Sequence, residues 1–417
     1  MLIELRVANH RSILDEQVLT FEAAAIGAKD DPRVRTFGAF RLLPALALYG
    51  GNASGKSNML TALGFMRDAV ALSHRIWAPD EGVPREPFAW GAGPGQPSTF
   101  EVTLLLDTGR VQYGFVVDDE RVLEEWIYAW PSARKQTWLT RERDTLKFGE
   151  HLLGPNQTIQ GVLRPNALFL SAAAQHGHDQ LAPLFRALMS IRVADLGSGA
   201  PRRLSSEWHF IRALTMERSQ AGAGQSGALM QGLRGLLQAA DTGIVDLKLD
   251  DDISEPLSTH DRPRRSRLLL QHQANDAAAW LPLEAESGGT KTLVRIAPAL
   301  LSVLSQGGVL VVDELGADLH SLLVTHILRQ FQDPTLNPKN AQLLFATHDT
   351  NLLGTTLGEP ALRRDQVWLT EKRPDGASCV YPLTDYKPRD SENLERGYLQ
   401  GRYGAVPILG AQLPVEG

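Results

Sequence analysis

Alternating and helical patterns of hydrophobic residues divide the start of the chain into recognisable segments. Residues 2–8 alternate apolar and polar side chains, and residues 18–21 repeat that alternation, so both predict strands. Residues 45–49 form a short apolar run directly before a glycine-rich loop, and residues 56–76 carry apolar side chains at helical spacing. The pattern therefore predicts two strands followed by a strand, a loop and a helix.

The middle of the chain shows a block of strands and then a mostly helical stretch. A Pro- and Gly-rich loop is predicted first, and strand patterns follow it at 99–106, 111–117, 122–130, 136–140 and 167–171. Residues 178–240 have mostly helical patterns, and residues 245–283 return to strands around a basic turn. We expect an antiparallel sheet layered on the first lobe, followed by a mainly helical insertion or lid.

From residue 284 onward the pattern is α/β again. A helix is predicted from Ser287 to about Leu304, and two apolar strands follow at 308–312 and 343–347. The patterns predict three segments, an N-terminal lobe at 1–177, the insertion at 178–283 and a C-terminal lobe at 284–417.

Composition, net charge and the cysteine count exclude several classes of protein. The 417 residues are 43% hydrophobic and 22% charged, which is typical of a globular chain with a large core. A formal net charge of -6 argues against general polyanion binding, so any nucleic-acid contact would come from a local patch. A single cysteine, Cys379, excludes a disulfide framework. The chain shows neither a signal-peptide pattern nor a membrane-length apolar run, so we expect a cytoplasmic protein without membrane segments.

Residues 50–57 form a phosphate-binding loop of the pattern G-x-x-x-x-G-K-S. Its glycines allow backbone N–H groups to close around a phosphate, and the following helix adds its positive end. Lys56 is expected to reach the β- and γ-phosphates of ATP, and Ser57 to offer its hydroxyl to Mg²⁺. The predicted nucleotide-binding residues are Gly50, Gly51, Asn52, Ala53, Ser54, Gly55, Lys56, Ser57 and Asn58. A plain turn before a helix explains this sequence poorly, because it leaves the Lys-Ser ending unexplained.

Two acidic residues and a histidine follow later strands. Asp313 and Glu314 end the apolar run 308–312, where Asp313 is a candidate Mg²⁺ ligand and Glu314 a candidate general base. His348 follows the strand 343–347 and is a candidate for contact with the γ-phosphate or the attacking water. Each feature alone also fits an ordinary solvated strand end, but the phosphate loop upstream favours the catalytic interpretation.

A glycine-containing segment precedes the acidic strand. It consists of Ser287, Gly288, Gly289 and Thr290, and Ser287 caps the predicted helix. A helix start of this kind attracts phosphate, although a simple helix cap is the competing interpretation. The order of loop, capped helix, acidic strand and histidine separates ABC-type ATPases from other P-loop enzymes. It predicts a site that a second subunit completes.

Further candidates carry weaker signals. Gln175 would end the strand 167–171 as a Mg²⁺-sensing residue, and Arg11 lies in a turn where it could reach a phosphate. The competing glutamines are Gln157, Gln160 and Gln180. A basic turn with four arginines at 262–267 fits a solvated hairpin tip better than a nucleic-acid contact.

With these motifs in place, the chain resembles the SMC/OLD-like ABC-type ATPases of the AAA family. The opening LRVANHRSI is similar to the "NFRS" start of that class, with His10 in place of the usual Phe. The closest resemblance is to stand-alone ATPase subunits of bacterial abortive-infection and restriction-linked anti-phage systems. These share ESxGT, DEL followed by LH, THD, and a terminal YLxGRYGAxP motif, present here as Tyr398–Pro407.

The resemblance implies an α/β fold, a P-loop ABC-type head with a mixed central sheet and an antiparallel β layer. It also implies ATP and Mg²⁺ as cofactors and an ATP-joined homodimer or higher homo-oligomer. In that class the segment 287–290 is the signature, which touches the γ-phosphate held by the other subunit, and His348 fits the switch histidine. A D-loop is implied with Asp318 and with His320 where aspartate is usual. OLD-type nucleases carry a further metal domain, but the residues after His348 lack the Glu and Asp-x-Asp set that a two-metal nuclease needs. A separately encoded effector, Toprim-like or another nuclease, is therefore implied.

Three functional hypotheses remain open at this point. The first is an ATP hydrolase that senses infection and regulates an effector nuclease in phage defence. The second is a DNA-repair or recombination ATPase that binds DNA in an ATP-dependent way, with steep salt dependence. The third is a nucleotide-stabilised scaffold with little turnover, which would keep its biological activity after a Glu314→Gln change.

Overall fold

The computed structural model describes residues 1–28, 30–194, 214, 227–240, 242–251, 266–274, 279–356, 358–389 and 392–407. The strands are β1 Leu2–Ala8, β2 Gln17–Thr20, β3 Arg35–Phe37, β4 Phe40–Leu42, β5 Ala45–Gly50, β6 Ser98–Leu106, β7 Gly109–Val117, β8 Val122–Trp130, β9 Gln136–Glu142, β10 Thr145–Phe148, β11 Ile191–Ala194, β12 Ile244–Asp251, β13 Ser266–His272, β14 Trp280–Pro282, β15 Val309–Val312, β16 Gln342–Ala346, β17 Val367–Lys372 and β18 Ser378–Pro382.

The α-helices of the described residues alternate with these strands mainly in the two lobes. They are α1 Lys56–Leu72, α2 Asn156–Gly161, α3 Phe169–Gln175, α4 Ala182–Met189, α5 Ala228–Ala239, α6 Gly288–Gln306, α7 Ser321–Gln332 and α8 Leu394–Leu399. Short 3-10 turns lie at Gly93–Gly95, Leu283–Ala285, Thr350–Leu352, Arg364–Gln366 and Leu383–Tyr386. Among the described helices, none combines the length and the apolar character needed to cross a membrane.

Two large sheets form the frame of the molecule. A seven-stranded antiparallel sheet has the order β10-β9-β8-β7-β6-β1-β2. A six-stranded sheet has the order β11-β15-β16-β5-β17-β18, and its neighbours run parallel except for the β17–β18 hairpin. The α/β fold with a mixed central sheet and an antiparallel β layer is therefore present as predicted.

The central sheet is buried on both faces, which explains the unbroken apolar runs in its strands. In β5, Leu46 and Leu48 face the antiparallel sheet and α1, whereas Ala45 and Ala47 face the opposite layer with α6 and α7. Successive side chains of a strand point to opposite faces, so one short strand contributes to both hydrophobic cores. Gln342 joins the two sheets, because its buried side chain accepts from the Leu2 amide at 2.6 Å and donates to the Leu2 carbonyl at 2.9 Å.

The hydrophobic pattern predicts the wrong secondary structure in two segments, 167–171 and 191–194. Residues 167–171, predicted as a strand, lead instead into α3, whose sequence FLSAAAQ contains five good helix formers and no β-branched residue. Ile191–Ala194 falls within the stretch predicted as mostly helical, yet it forms β11 and pairs in parallel with β15. Tertiary pairing overrides weak local preference in this edge strand.

The region between the lobes contains both helices and strands. Its described residues include α4 and α5, and β12, β13 and β14 form a separate three-stranded antiparallel sheet. The strands expected in 245–283 are thus present. The arginines expected in the basic turn lie outside the described residues at 262–265, and Arg267 is on β13. The division of the chain at 178 and 284 stays a prediction.

His10 occupies a buried site between the antiparallel sheet and α1. Its ring packs against Phe65 and Phe100, with ring centroids 6.2 and 5.4 Å away. Thr61 donates its hydroxyl to the Asn58 carbonyl, so the His10 Nε2 at 3.1 Å acts as the donor to the Thr61 oxygen. The other nitrogen, Nδ1, has no hydrogen-bond partner among the described residues. Burial, helped by the charge of Arg11, lowers the pKa of His10 to about 4.

We predict that His10 makes the stability of the protein fall in mild acid. The unfolded chain takes up a proton near pH 6.5, whereas the folded chain resists it until about pH 4, so the free energy of unfolding decreases over that interval. The shift corresponds to about 3 kcal/mol. His10→Phe is expected to remove this part of the loss, measured by denaturant unfolding at pH 7 and at pH 4.

His151→Gln is the matched control, because His151 is exposed. If His10→Phe and wild type lose the same free energy of unfolding between the two pH values, His10 is not the source of the acid sensitivity.

Candidate functional site

Three neighbouring parallel strands end at one edge of the central sheet. Val312 of β15 aligns with Phe345 of β16, and Phe345 aligns with Ala47 of β5. The residues that follow these strands, 313–314, 347–348 and 50–57, are therefore neighbours. Carboxyl ends of parallel strands are the usual place for ligand sites in such sheets. The motifs predicted from distant parts of the chain meet here.

The phosphate loop is held in a tight space at the end of β5. Ser54 hydrogen-bonds Thr370 of β17, with 2.6 Å between the two hydroxyl oxygens. A Cβ on Gly50 would lie 2.5 Å from the Thr370 carbonyl oxygen, and one on Gly55 would lie 2.2 Å from the Ser378 hydroxyl. Gly55 also has a φ of 112°, which side chains rarely adopt. The loop requires glycine at both places because its neighbours approach so closely.

Lys56 begins α1 and points back into the loop. Its Nζ donates to the carbonyls of Gly50 at 2.8 Å and Gly51 at 3.0 Å. Burial lowers the pKa of Lys56, while the nearby carboxylates of Asp313 and Glu314 raise it. The amine thus lies between the phosphate loop and the acidic strand end, where a bound triphosphate would place its β- and γ-phosphates.

The two acids at the end of β15 have different surroundings. Glu314 is exposed and adopts a left-handed φ of 54°, which turns the chain sharply after Asp313. Asp313 is half-buried, and its Oδ1 has no hydrogen-bond partner among the described residues. An unsatisfied buried carboxylate oxygen fits a hard cation, and a hydroxyl such as that of Ser57 is a suitable second oxygen ligand. The donor set therefore fits Mg²⁺ bound together with phosphate.

A cavity of about 410 Å³ opens at this edge of the sheet. It is lined by Asn52, Glu314, Gly316, Ala317, Ser321, His348 and Asp349. Burial and the charge of Lys56 lower the pKa of His348, while Glu314 and Asp313 raise it. His348 therefore faces the cavity as a neutral imidazole at neutral pH, able to donate or accept a hydrogen bond.

The loops after β15 and β16 are tied to each other. Leu315 donates its amide to the Ala346 carbonyl at 2.9 Å, and Thr347 donates its hydroxyl to the Leu315 carbonyl at 2.7 Å. These bonds hold together the two loops that bring Glu314 and His348 to the lining of the cavity. Thr347 and Thr370 are supporting residues that the motifs alone do not reveal, because threonine beside a loop is too common to be a signal.

The signature segment lies beside the D-loop of the same chain. Ser287 caps α6 by accepting from the Thr290 amide at 3.2 Å, as predicted. A Cβ on Gly289 would lie 2.8 Å from the Asp318 carbonyl oxygen, and Thr292 donates to the Asp318 carboxylate at 3.2 Å. His320 caps α7 by accepting from the Leu322 amide. Among the described residues lining the cavity, the signature segment contributes none.

Arg11 is close to the start of α1 but is engaged elsewhere. Its neighbour Ser12 accepts a hydrogen bond from Asn58 at 2.5 Å. The guanidinium itself pairs with Glu86 through two bonds of 2.6 and 3.0 Å. Contact of Arg11 with a phosphate would need this exposed ion pair to break, so that role stays a prediction.

Gln175 does not belong to the site, and the prediction of a Mg²⁺ ligand there is wrong. It ends the helix α3 and not a strand, and its side chain is exposed. The adjacent His176 ring packs 5.6 Å from His74, just beyond the C-terminal end of α1. Because α1 has 17 residues, that end lies about 25 Å from Lys56.

Residues 46–354 match the family model described as "AAA domain, putative AbiEii toxin, Type IV TA system". The match covers well over half of the 417 residues, so the chain belongs to this AAA family, as the resemblance predicts. It is a P-loop ATPase by family, and the family implies the use of ATP. No curated protein matches the chain significantly.

Several solved SMC heads are similar to this chain. The SMC head bound to the C-winged helix domain of ScpA is 14% identical, with a TM-score of 0.47, and the match covers 91% of this chain and 97% of that one. The SMC head from Thermotoga maritima is 12% identical, with a TM-score of 0.39 and coverage of 91% and 98%. An SMC head bound to the C-terminal domain of ScpA derived from Pyrococcus furiosus is 13% identical, with a TM-score of 0.43 and coverage of 96% and 98%.

We predict that Lys56→Ala weakens ATP binding about 100-fold or more, because the loop loses its charge-assisted hydrogen bonds to phosphate. Titration calorimetry with ATP and Mg²⁺ measures this directly. Lys147→Ala is the matched control, since Lys147 is an exposed residue of β10 at the far edge of the antiparallel sheet. Equal ATP affinity of wild type and Lys56→Ala would contradict the assignment of the phosphate loop.

Proposed function

We propose that the chain is an ATP-hydrolysing ABC-type ATPase whose two copies close around ATP and regulate a separately encoded effector nuclease in anti-phage defence. The observation that carries the hydrolytic part is the meeting of Lys56, Asp313, Glu314 and His348 at aligned strand ends. The family description, which mentions an abortive-infection toxin, supports the defence part.

The roles of the residues follow from their surroundings. Glu314 lies exposed at the cavity wall and would accept the proton of the attacking water. Lys56 would balance the charge of the β- and γ-phosphates, and His348 would hydrogen-bond a γ-phosphate oxygen as a neutral donor. Ser57 and Asp313 would hold Mg²⁺, which supplies charge neutralisation for the phosphates when it is bound.

The position of the signature segment supports a site shared between two copies. Ser287 starts α6 beside Asp318, and the cavity next to Lys56 is lined by other residues. A second copy could direct its Ser287 and the first turn of α6 at the γ-phosphate. The site would then be complete only in a homodimer or a higher homo-oligomer.

Such a shared γ-phosphate is suited to a switch. Charge-assisted hydrogen bonds contribute about 1.5–3 kcal/mol each, and hydrolysis removes several of them together. A change of several kcal/mol is enough to reverse the dominant population of a two-state assembly. This change in the state of the assembly would then release the effector nuclease.

We predict that Glu314→Gln lowers the ATPase rate about 100-fold or more and traps an ATP-dependent dimer. The substitution keeps the size of the side chain but removes the base, so ATP remains bound between the copies. Light scattering after size exclusion, with and without ATP and Mg²⁺, measures the assembly. Glu120→Gln, in the exposed turn between β7 and β8, is the matched control.

A phage challenge distinguishes the hypothesis of an ATP-hydrolysing sensor from that of a nucleotide-stabilised scaffold. In cells that carry the chain with its genomic neighbours, Lys56→Ala and Glu314→Gln should both abolish protection. If Glu314→Gln still protects while Lys56→Ala does not, bound nucleotide only stabilises the assembly. The proposal that hydrolysis is needed is then contradicted.

We further predict that two inactive variants restore activity when they are mixed. Lys56→Ala and Ser287→Arg each inactivate a homodimer, but their heterodimer contains one site with an intact loop and an intact facing signature. If the sites act independently, an equal mixture should recover about a quarter of the wild-type ATPase rate, because half of the dimers are mixed and each has one working site. A mixture that stays inactive after subunit exchange would contradict the shared site.

A further inference from the structure

The terminal segment Tyr398–Pro407, here called the C-terminal motif, takes no part in the chemistry described above. It nevertheless packs directly on the nucleotide site. A Cβ placed on Gly51 would lie 3.6 Å from the Pro407 nitrogen. The segment reaches this position from the end of α8, more than 340 residues further along the chain than the phosphate loop.

The first contact is a pair of tyrosines behind the phosphate loop. The Tyr398 ring meets the Tyr49 ring edge to face, with centroids 5.6 Å apart and an interplanar angle of 68°. Tyr49 is fully buried and directly precedes Gly50 of the loop. The Tyr398 hydroxyl donates to the Ala405 carbonyl at 3.1 Å, within the C-terminal motif itself.

The second contact runs from Tyr49 to the segment that carries the switch histidine. The Tyr49 hydroxyl donates to the Asp349 carbonyl at 2.9 Å, one residue after His348. Burial raises the pKa of Tyr49 well above its usual value, so its hydroxyl remains a donor at every relevant pH. On the same side, Thr350 donates to Glu395 of α8 at 3.2 Å. The helix and the tyrosine pair thus hold the two residues that directly follow His348.

The third contact anchors the motif to the strand beside β5. Glu371 of β17 accepts the Ala405 amide, and the Tyr381 hydroxyl donates to the Tyr403 carbonyl at 3.1 Å. Gly404 and Ala405 both have left-handed φ values, 68° and 59°, which fold the chain back over Glu371. Glu371 follows Thr370, the residue that holds Ser54 of the phosphate loop. The motif is therefore attached to the same strand as the loop it covers.

We propose that Tyr49 and Tyr398 are positioning residues for ATP hydrolysis, which set the place of His348 relative to the phosphate loop. The inference rests on the hydrolytic function proposed above. Lys56 and His348 must approach the same γ-phosphate from two separate loops. The tyrosine pair is a buried side-chain connection between these loops, and it adds to the backbone bond from the Thr347 amide to the Leu48 carbonyl at 3.1 Å. A misplacement of reacting groups by about 1 Å can cost a large factor in rate, so loss of one link should reduce turnover more than binding.

The test removes single hydroxyls and separates turnover from binding. In Tyr49→Phe the ring contact stays and the bond to Asp349 is lost, and in Tyr398→Phe the bond to Ala405 is lost. Each is expected to lower kcat about five-fold, the effect of one ordinary hydrogen bond, while the Kd for ATP changes less than two-fold. Because both act through one connection, the double variant should lose about as much kcat as the stronger single variant.

Tyr128→Phe is the matched control. This half-buried tyrosine lies on β8 of the antiparallel sheet, with the Lys135 ammonium 3.4 Å from its ring centroid, and that sheet carries neither nucleotide loop. It should keep wild-type kcat and Kd. Thermal unfolding of all variants shows whether a change in kcat merely follows a loss of folded protein.

The outcomes separate this inference from the proposed function. If wild type hydrolyses ATP and both tyrosine variants keep its kcat, the positioning role is overturned and hydrolysis stands. The role is also overturned if kcat and Tm fall while Kd rises in parallel, since that indicates a structural defect. If wild type and Lys56→Ala both show no ATPase activity, the proposed function is contradicted. The positioning role depends on hydrolysis, so it is then contradicted as well.

Discussion

The alignment of three parallel strand ends is the constraint on which the site depends. β15, β16 and β5 are paired so that Val312, Phe345 and Ala47 lie side by side. The chain that leaves each strand must then turn over the same edge, where backbone groups are free to receive a ligand. A shift of one strand by a single residue would turn its apolar side chains to the opposite face and move its catalytic residue away. The burial of both faces of the sheet therefore also protects the geometry of the site.

The loops at this edge are held by neutral hydrogen bonds and close packing more than by ion pairs. Three hydrogen-bonded pairs each join a loop of the candidate site to its neighbour. They are Ser54 with Thr370, Thr347 with Leu315, and Tyr49 with Asp349. Each such bond contributes only about 1 kcal/mol, but the groups are buried and would be costly to leave unsatisfied. Lys56 donates only to two backbone carbonyls of the loop, and the Asp313 Oδ1 has no hydrogen-bond partner among the described residues. This division of roles suits the proposed function, in which the site would hold a triphosphate and then release its product.

The sequence predicts most residues of the candidate site, but it does not reveal the residues that hold their loops in place. The phosphate loop, the acidic pair and the histidine each follow a strand whose apolar run is easy to recognise, so their meeting could be predicted. Gln175 was misplaced because the apolar run before it suits a helix as well as a strand, and only the packing of α3 against α1 decides between them. β11 was missed for a related reason, since four residues at a sheet edge carry little local signal.

The sequence by itself determined the α/β class and predicted the chemistry of the candidate nucleotide site, because both are encoded locally. A glycine-rich loop, a capped helix and alternating or continuous apolar runs each have a physical cause within a few residues. Only the tertiary structure decided which distant residues support that chemistry. The contact between Tyr398 and Tyr49, the tie between Gln342 and Leu2, and the burial of His10 all join positions far apart in the chain. Such contacts depend on the packing of the two sheets, and no short stretch of sequence specifies them.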